Sequence, residues 1–462
     1  MAQVMTDERK QYIKMTTQPV PRLIATLAVP TIISMMVTSI YNMADTFFVG
    51  KLGTSATGAV GVVFSLMAII QALGFMLGMG SGGVVSRLLG QQKNREASRV
   101  ASTAFFTAIF VGLCITVFGM IGINGLMRIL GATDTILPYA KSYAQYILFG
   151  APIMCASFVM NNDLRAEGKA ILSMLGIATG GIINIILDPI FIFVFHMGIA
   201  GAAIATLISQ CVSFLILLSN YVCKRSILTI HVKLISTKWS TYKQIITTGL
   251  PSLLRQGLAS IAGISLNLNA AMYGDAAVAA MSIVNRVFLF VLSAMLGFGQ
   301  GFQPVAGYNY GAKLYHRVKQ AYWFCLKVGT IGLSVLAVLG FLFAPQVIGA
   351  FQKTDMEVLS IGARAFRLQC LAIPFHAMIV VSNMLFQSIG AARQATFIAA
   401  ARQGLYFMPI IYLLPRIWGL FGVQCAQPLA DILTFASCIP VLYFFFRNLN
   451  RQMKQEEDVL GN

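Results

Sequence analysis

Apolar residues run through this chain in long stretches, and polar positions gather in short breaks between them. A helix that crosses a bilayer needs roughly 20 consecutive, mostly apolar residues. That length predicts twelve spans, near Arg22–Val49, Thr57–Val85, Ser98–Ile121, Ile136–Val159, Ala170–Phe193, Gly198–Val222, Lys243–Ala270, Ala277–Phe302, Val318–Phe341, Val358–Val381, Ala395–Leu413 and Leu420–Phe446. The first run follows a polar segment and is too long for the apolar region of a cleaved secretory leader, so it reads as a retained helix.

Sliding the chain along itself reveals a duplication, the signature of a repeat architecture. At an offset of 221, Pro30 falls on Pro251, Gly78 and Gly80 on Gly299 and Gly301, Gly90 on Gly311, and Thr133-Asp134 on Thr354-Asp355. The register then drifts by one, with Pro152 on Pro374, Asn161 on Asn383 and Gly168 on Gly390, and returns for Gly198 on Gly419 and Gly201 on Gly422. An offset of six helices returns the chain to the same side of the membrane. The halves are therefore predicted to be parallel repeats about an axis along the membrane normal, a transporter plan with its sites at mid-membrane. The expected organisation is a segment 1–21, an N-lobe 22–222, a basic linker 223–242, a C-lobe 243–446 and a tail 447–462.

Composition agrees with a membrane protein: 57% of residues are hydrophobic and 10% charged, against about 25% charged in soluble domains. The formal charge of +18 does not indicate a nucleic-acid binder, because the basic residues lie in short loops between apolar runs. They crowd the N-terminus, the even-numbered loops and the tail, as in Arg9, Lys10, Lys93, Arg95, Lys224 and Arg447, whereas the odd-numbered loops and their flanks hold only Lys51, Arg128, Lys141, Lys353, Arg364, Arg367 and Arg416. The positive-inside rule then places both termini in the cytoplasm, for a multi-pass protein of the cytoplasmic membrane. The eight cysteines are scattered without a C-x-x-C pair, which points away from a zinc site or disulfide framework.

Gly78, Gly80 and Gly83 spell the dinucleotide fingerprint, but they lie inside an apolar span and open no βαβ unit. Close helix packing through small residues is the better reading. No hydrolase, metalloprotease or nucleotide-binding motif occurs, so neither an enzyme nor a bound cofactor is expected.

Three carboxylates fall inside predicted spans: Asp45, Asp188 and Asp431. Each costs about 2.5–3.5 kcal/mol on insertion scales and is therefore a functional candidate. Asn184 precedes Asp188 by four residues, on the same helix face, and Pro189 follows it. Counted from the span ends, Asn184, Asp188, Thr206 and Tyr143 lie within roughly 6 Å in depth, with Asp45 slightly nearer the outside. Such an all-oxygen set suits a hard cation, Na⁺, or a proton. Two close carboxylates in a low dielectric do not both stay ionised cheaply, which would make the pair a switch. Pro30, lower in the first span, is placed to bend it. In the second half, an Asp431–Arg286 ion pair is expected, with Lys327 and Arg402 snorkelling toward the membrane surface and His376 as packing.

Together, Pro30 with Ala44-Asp45-Thr46 and Gly50, the Gly90 loop with Lys93 and Arg95, Asn184-x-x-x-Asp188-Pro189, and Gly307-Tyr308-Asn309-Tyr310-Gly311 resemble the multidrug and toxic compound extrusion (MATE) family over nearly the whole chain, closest to its DinF/MepA-like bacterial branches. The resemblance implies an N-lobe cation site at Asp45, Asn184, Asp188 and Thr206, with Tyr143 adjacent. It also implies export of amphipathic, often cationic, compounds in exchange for Na⁺ or H⁺ by alternating access. The acidic residues that the NorM-like branch carries in its seventh and tenth helices are missing here. Met35, Met36, Met154 and Met160 are candidates for an adaptable substrate wall. The expected partners are a small amphipathic molecule and the bilayer, with the chain a monomer. A lipid-linked oligosaccharide flippase of the same superfamily is the alternative, for which a cationic cavity and often two more helices would be expected.

Overall fold

The computed structural model describes residues 7–351 and 355–460; Lys353 and Thr354, named above, lie outside the described residues. Those residues form helices and connecting turns without a strand. Twelve long helices follow in order: Val20–Gly50, Thr54–Gly90, Asn94–Ile121, Leu137–Ala166, Ala170–Pro189 extended by the π-turn Ile190–Val194, Gly198–Val222, Trp239–Ala271, Asp275–Gly311, Tyr315–Leu342, Met356–Ile389, Ala392–Trp418 and Leu420–Leu460. Eleven are long and apolar enough to cross a membrane. The seventh, Trp239–Ala271, is long enough, but Thr247, Thr248, Arg255, Gln256, Asn267 and Asn269 dilute its apolar character. Short helices at Ile123–Ile129 and Ala344–Gly349 occupy equivalent places in the two halves.

Several helices outrun their predicted spans. The fourth continues from Val159 to Ala166 and the tenth from Val381 to Ile389. Hydropathy ends both where Asn161, Asn162, Asp163 and Arg165, or Ser382, Asn383, Gln387 and Ser388, begin. These polar residues are buried within the protein, so they need no exit to water. The seventh helix starts at Trp239, inside the expected linker, and the twelfth runs on through the tail to Leu460.

The two lobes meet through a pair of equivalent contacts: the second helix against the seventh, and the eighth against the first. The second and eighth helices also meet, and glycine lets backbone touch backbone there. A Cβ on Gly90 would lie 2.1 Å from the Tyr308 carbonyl oxygen, and one on Gly311 would lie 2.2 Å from that of Arg87. The two contacts exchange under the 221-residue offset, as expected for a pseudo-twofold axis between the second and eighth helices. Gly80 against Ile245 and Gly301 against Ala28 repeat the relation, and Thr31 donates across the lobes to the Gly297 carbonyl at 2.6 Å. All these residues lie toward the membrane face that carries the termini. Further along, a Cβ at Gly61, Gly257 or Gly263 would meet nothing within 4 Å. The lobes are thus sealed on the terminal face.

The inter-lobe connection is held down. Its backbone N–H groups at Thr229, His231 and Ser236 donate to Ser98, Ser102 and Thr103 of the third helix, and that of Ile227 donates to Glu167 Oε2 at 2.7 Å. Glu167 follows the fourth helix and is buried. Burial pushes its carboxyl up to about 7, against the lowering effects of Lys169 and of the linker N–H groups. A raised carboxyl favours folding where it is protonated. Stability from this group is therefore full below about 4.5 and falls as pH rises toward 7, by about 3 kcal/mol in all. Glu167→Gln is expected to flatten that part of the stability profile. Thermal unfolding in detergent between pH 4.5 and 7 checks it; an unchanged slope would remove Glu167 as its source.

Candidate functional site

The N-lobe site sits where the first, fourth, fifth and sixth helices converge. The fifth approaches the first closely because Gly181 has no side chain: a Cβ there would lie 2.8 Å from Val37 Cγ1. This brings Asp45 of the first helix to the side of the fifth that carries Asn184 and Asp188. Asp188 is followed by Pro189, which has no N–H to donate, and the helix widens there into a π-turn.

Asn184 Nδ2 donates to Asp188 Oδ1 at 3.2 Å and to Thr206 Oγ1 at 3.3 Å, which turns its carbonyl oxygen the other way. The Tyr143 hydroxyl donates to Asp45 Oδ2 at 3.4 Å and also lies beside Thr206 and Asp188. All five residues are buried. Three oxygens of the cluster have no hydrogen-bond partner: Asp45 Oδ1, Asn184 Oδ1 and Asp188 Oδ2. A buried acceptor without a donor carries a desolvation cost of about 1–3 kcal/mol. A cation or proton shared among these oxygens removes that cost, and an oxygen-only set suits a hard ion. The structure brings together every residue predicted for this site.

Pro30 lies inside the continuous first helix, and Ser34 donates back to its carbonyl at 3.0 Å. The four methionines separate. Met35 is part-buried, with its sulfur 3.8 Å from Gln300 Nε2 of the other lobe, and Met36 is also part-buried. Met154 and Met160 are packed inside the N-lobe core, where Tyr221 donates to the Met160 carbonyl at 2.9 Å. In this conformation those two do not present a wall to a substrate.

The C-lobe corrects the expected pairing. Asp431 binds Arg402 Nε at 2.8 Å and lies 3.4 Å from His376 Nε2; it also accepts from Gln369 at 2.9 Å and Gln427 at 2.8 Å. Arg286 is exposed and makes no ion pair with it. Arg402 does not snorkel, because the π-helical stretch Ala401–Phe407 carries it inward, where its guanidinium stacks 5.3 Å from the Phe288 ring. His376, which follows a 3-10 turn at Pro374, is a partner of the carboxylate as well as a packing residue. One signal for this cluster was present in the sequence: Gln427 precedes Asp431 by four residues, as Asn184 precedes Asp188. Asp431 is thus neutralised within its lobe, whereas Asp45 and Asp188 have no basic partner among the described residues.

Comparison with known proteins bears on what this architecture is. Multidrug export protein MepA of Staphylococcus saprophyticus is 25% identical over 440 residues, covering 95% of this chain and 96% of that protein. MepA of Staphylococcus aureus is 26% identical over the same length and shares. A structure described as the outward-facing conformation of a multidrug resistance MATE family transporter of the MOP superfamily superposes with a TM-score of 0.91 at 27% identity, covering 97% of this chain and 100% of that one. The MatE family model matches twice, over residues 30–190 and 251–413, beginning at the two prolines that the repeat aligns. With both halves matched in this way and the two-lobe helical fold in place, the chain belongs to the MatE family of membrane transporters.

Proposed function

We propose that this chain is a cation-coupled multidrug exporter that exchanges H⁺ or Na⁺ for amphipathic, mainly cationic, compounds by alternating access. The observation that carries the coupling is the trio of buried, unpartnered oxygens on Asp45, Asn184 and Asp188. The export direction and substrate class rest on the relatives named as multidrug export proteins. The basic N-terminus and even-numbered loops put the sealed face in the cytoplasm, so the lobes are open outward. Coupling requires an ion that binds the two lobe arrangements with different affinity.

The test is dye efflux from proteoliposomes with Na⁺ and pH gradients imposed one at a time. At least one gradient is expected to drive dye transport; indifference to both would defeat the coupling. Asp188→Asn is expected to slow gradient-driven efflux at least about tenfold, since it removes the charge that Asn184 orients. The mutant should elute from size exclusion as wild type does. Wild-type rates at every pH and Na⁺ concentration would take Asp188 out of the site.

A further inference from the structure

Between the lobes on the sealed face lies a small cavity of about 20 Å³, lined by residues of both halves, among them Ser86, Asn162, Arg165, Gln300, Gln303 and Ser388. Among the described residues, Arg165 is the one charged group that lines it, and it is 5% exposed. Its guanidinium donates to Gln300 Oε1 of the eighth helix and to Asn162 Oδ1 of its own helix. Among the described residues, no carboxylate comes within ion-pair distance of it. The neighbouring Asp163 turns away and accepts from Ser81 at 2.7 Å. Two amide oxygens satisfy some of its donors but leave its charge uncompensated, an expensive state for a buried ion. The equivalent position in the other half is neutral, Gln387, occupied with Ser252 and the Thr248 carbonyl. The charge is therefore not imposed by the repeat.

When the lobes part on this face, Gln300 leaves with the C-lobe while Arg165 and Asn162 stay on the fourth helix. The freed guanidinium then faces the opening without its partner from the other lobe. Its planar fork matches a carboxylate bidentately. We propose that Arg165 is the docking point for the acidic group of substrates that carry a carboxylate, engaged when the lobes are parted on the terminal face. Such a contact exists in one lobe arrangement and is replaced by Gln300 in the other, so binding and release are tied to the cycle. The inference rests on the export reading above and extends it from cations to zwitterions.

The test uses two xanthene dyes that share one cationic ring system, one with a free carboxyl and the other its ethyl ester, in proteoliposomes of the full-length protein. Arg165→Gln is expected to raise the KM for the free acid about tenfold or more, and to leave that for the ester within about twofold. Gln300→Glu, which supplies a competing carboxylate beside Arg165, is expected to give the same selective loss, and it decides the matter if Arg165→Gln transports neither dye. Equal changes for both dyes, or none, would assign Arg165 to lobe closure alone and overturn the proposal. So would wild-type protein that exports the ester but not the acid. Failure of wild type to export either dye would instead sink the export reading.

Discussion

Asp45→Asn is expected to abolish accumulation of substrate against a gradient while leaving substrate binding in place. Asparagine keeps the shape of the side chain and an oxygen for the Tyr143 hydroxyl, which now contacts Asp45 Oδ2 at 3.4 Å. It holds no negative charge, however, and takes up no proton near neutral pH. Asp45 Oδ1 is one of the three unpartnered oxygens, and it is supplied by the first helix, whereas the other two are supplied by the fifth. Removing its charge disconnects the first helix from whatever the fifth-helix pair binds. Exchange of one H⁺ or Na⁺ for one monovalent drug moves no net charge, so a tenfold ion gradient supplies about 1.4 kcal/mol and sustains about a tenfold drug gradient. A second ion would add its own gradient and about 2.3 kcal/mol per 100 mV of membrane potential. Either amount vanishes in a mutant that no longer binds the ion. The measurement is dye accumulation in inverted vesicles at equal protein expression, and persistent uphill transport would remove Asp45 from the mechanism.

The second large effect belongs to stability. Arg402→Met leaves the buried Asp431 without its guanidinium, and Asp431→Leu leaves the part-buried Arg402 without its carboxylate. Breaking a buried pair on one side costs about 3–5 kcal/mol, whereas replacing both partners by apolar groups is often neutral. Each single variant is therefore expected to unfold at a clearly lower temperature in detergent, and the double variant to recover most of the loss. His376 and the two glutamines remain as partners, which sets the single losses toward the lower end. Ion dependence of transport per folded molecule should be unchanged in the double variant, in contrast to Asp45→Asn. A double variant as unstable as the sum of the singles would show that the pair does not act as a unit.

The N-lobe site was legible because its residues are tied by local spacing. Asn184 and Asp188 share a helix face by their separation of four, and Pro189 marks the disturbed turn beside them. Depth along the spans then sufficed to gather Asp45, Tyr143 and Thr206. The same reasoning failed for Asp431, since equal depth says nothing about which way a side chain points around its helix. Arg286 has the depth but faces outward; Arg402 lacks it on a uniform count of 1.5 Å per residue, and a π-stretch alters its register. Span ends were misplaced for a related reason. Hydropathy treats Asn162, Arg165 and Gln387 as residues bound for water, while the fold gives the first two to the contact between lobes and packs Gln387 against the seventh helix.

The glycine seam on the terminal face has a consequence for how the protein moves. Gly80, Gly90, Gly249, Gly301 and Gly311 bring bare backbone against backbone at these points. Dispersion attraction between such surfaces is strong at contact and forfeits a quarter to a half of its depth over a gap of about 0.5–1 Å. Once parted by that much, the lobes are held on this face mainly by the longer side chains that cross it, Arg165 to Gln300 among them. It behaves as a snap fastener: most of the backbone grip is lost once the two surfaces are separated by about the width of an atom.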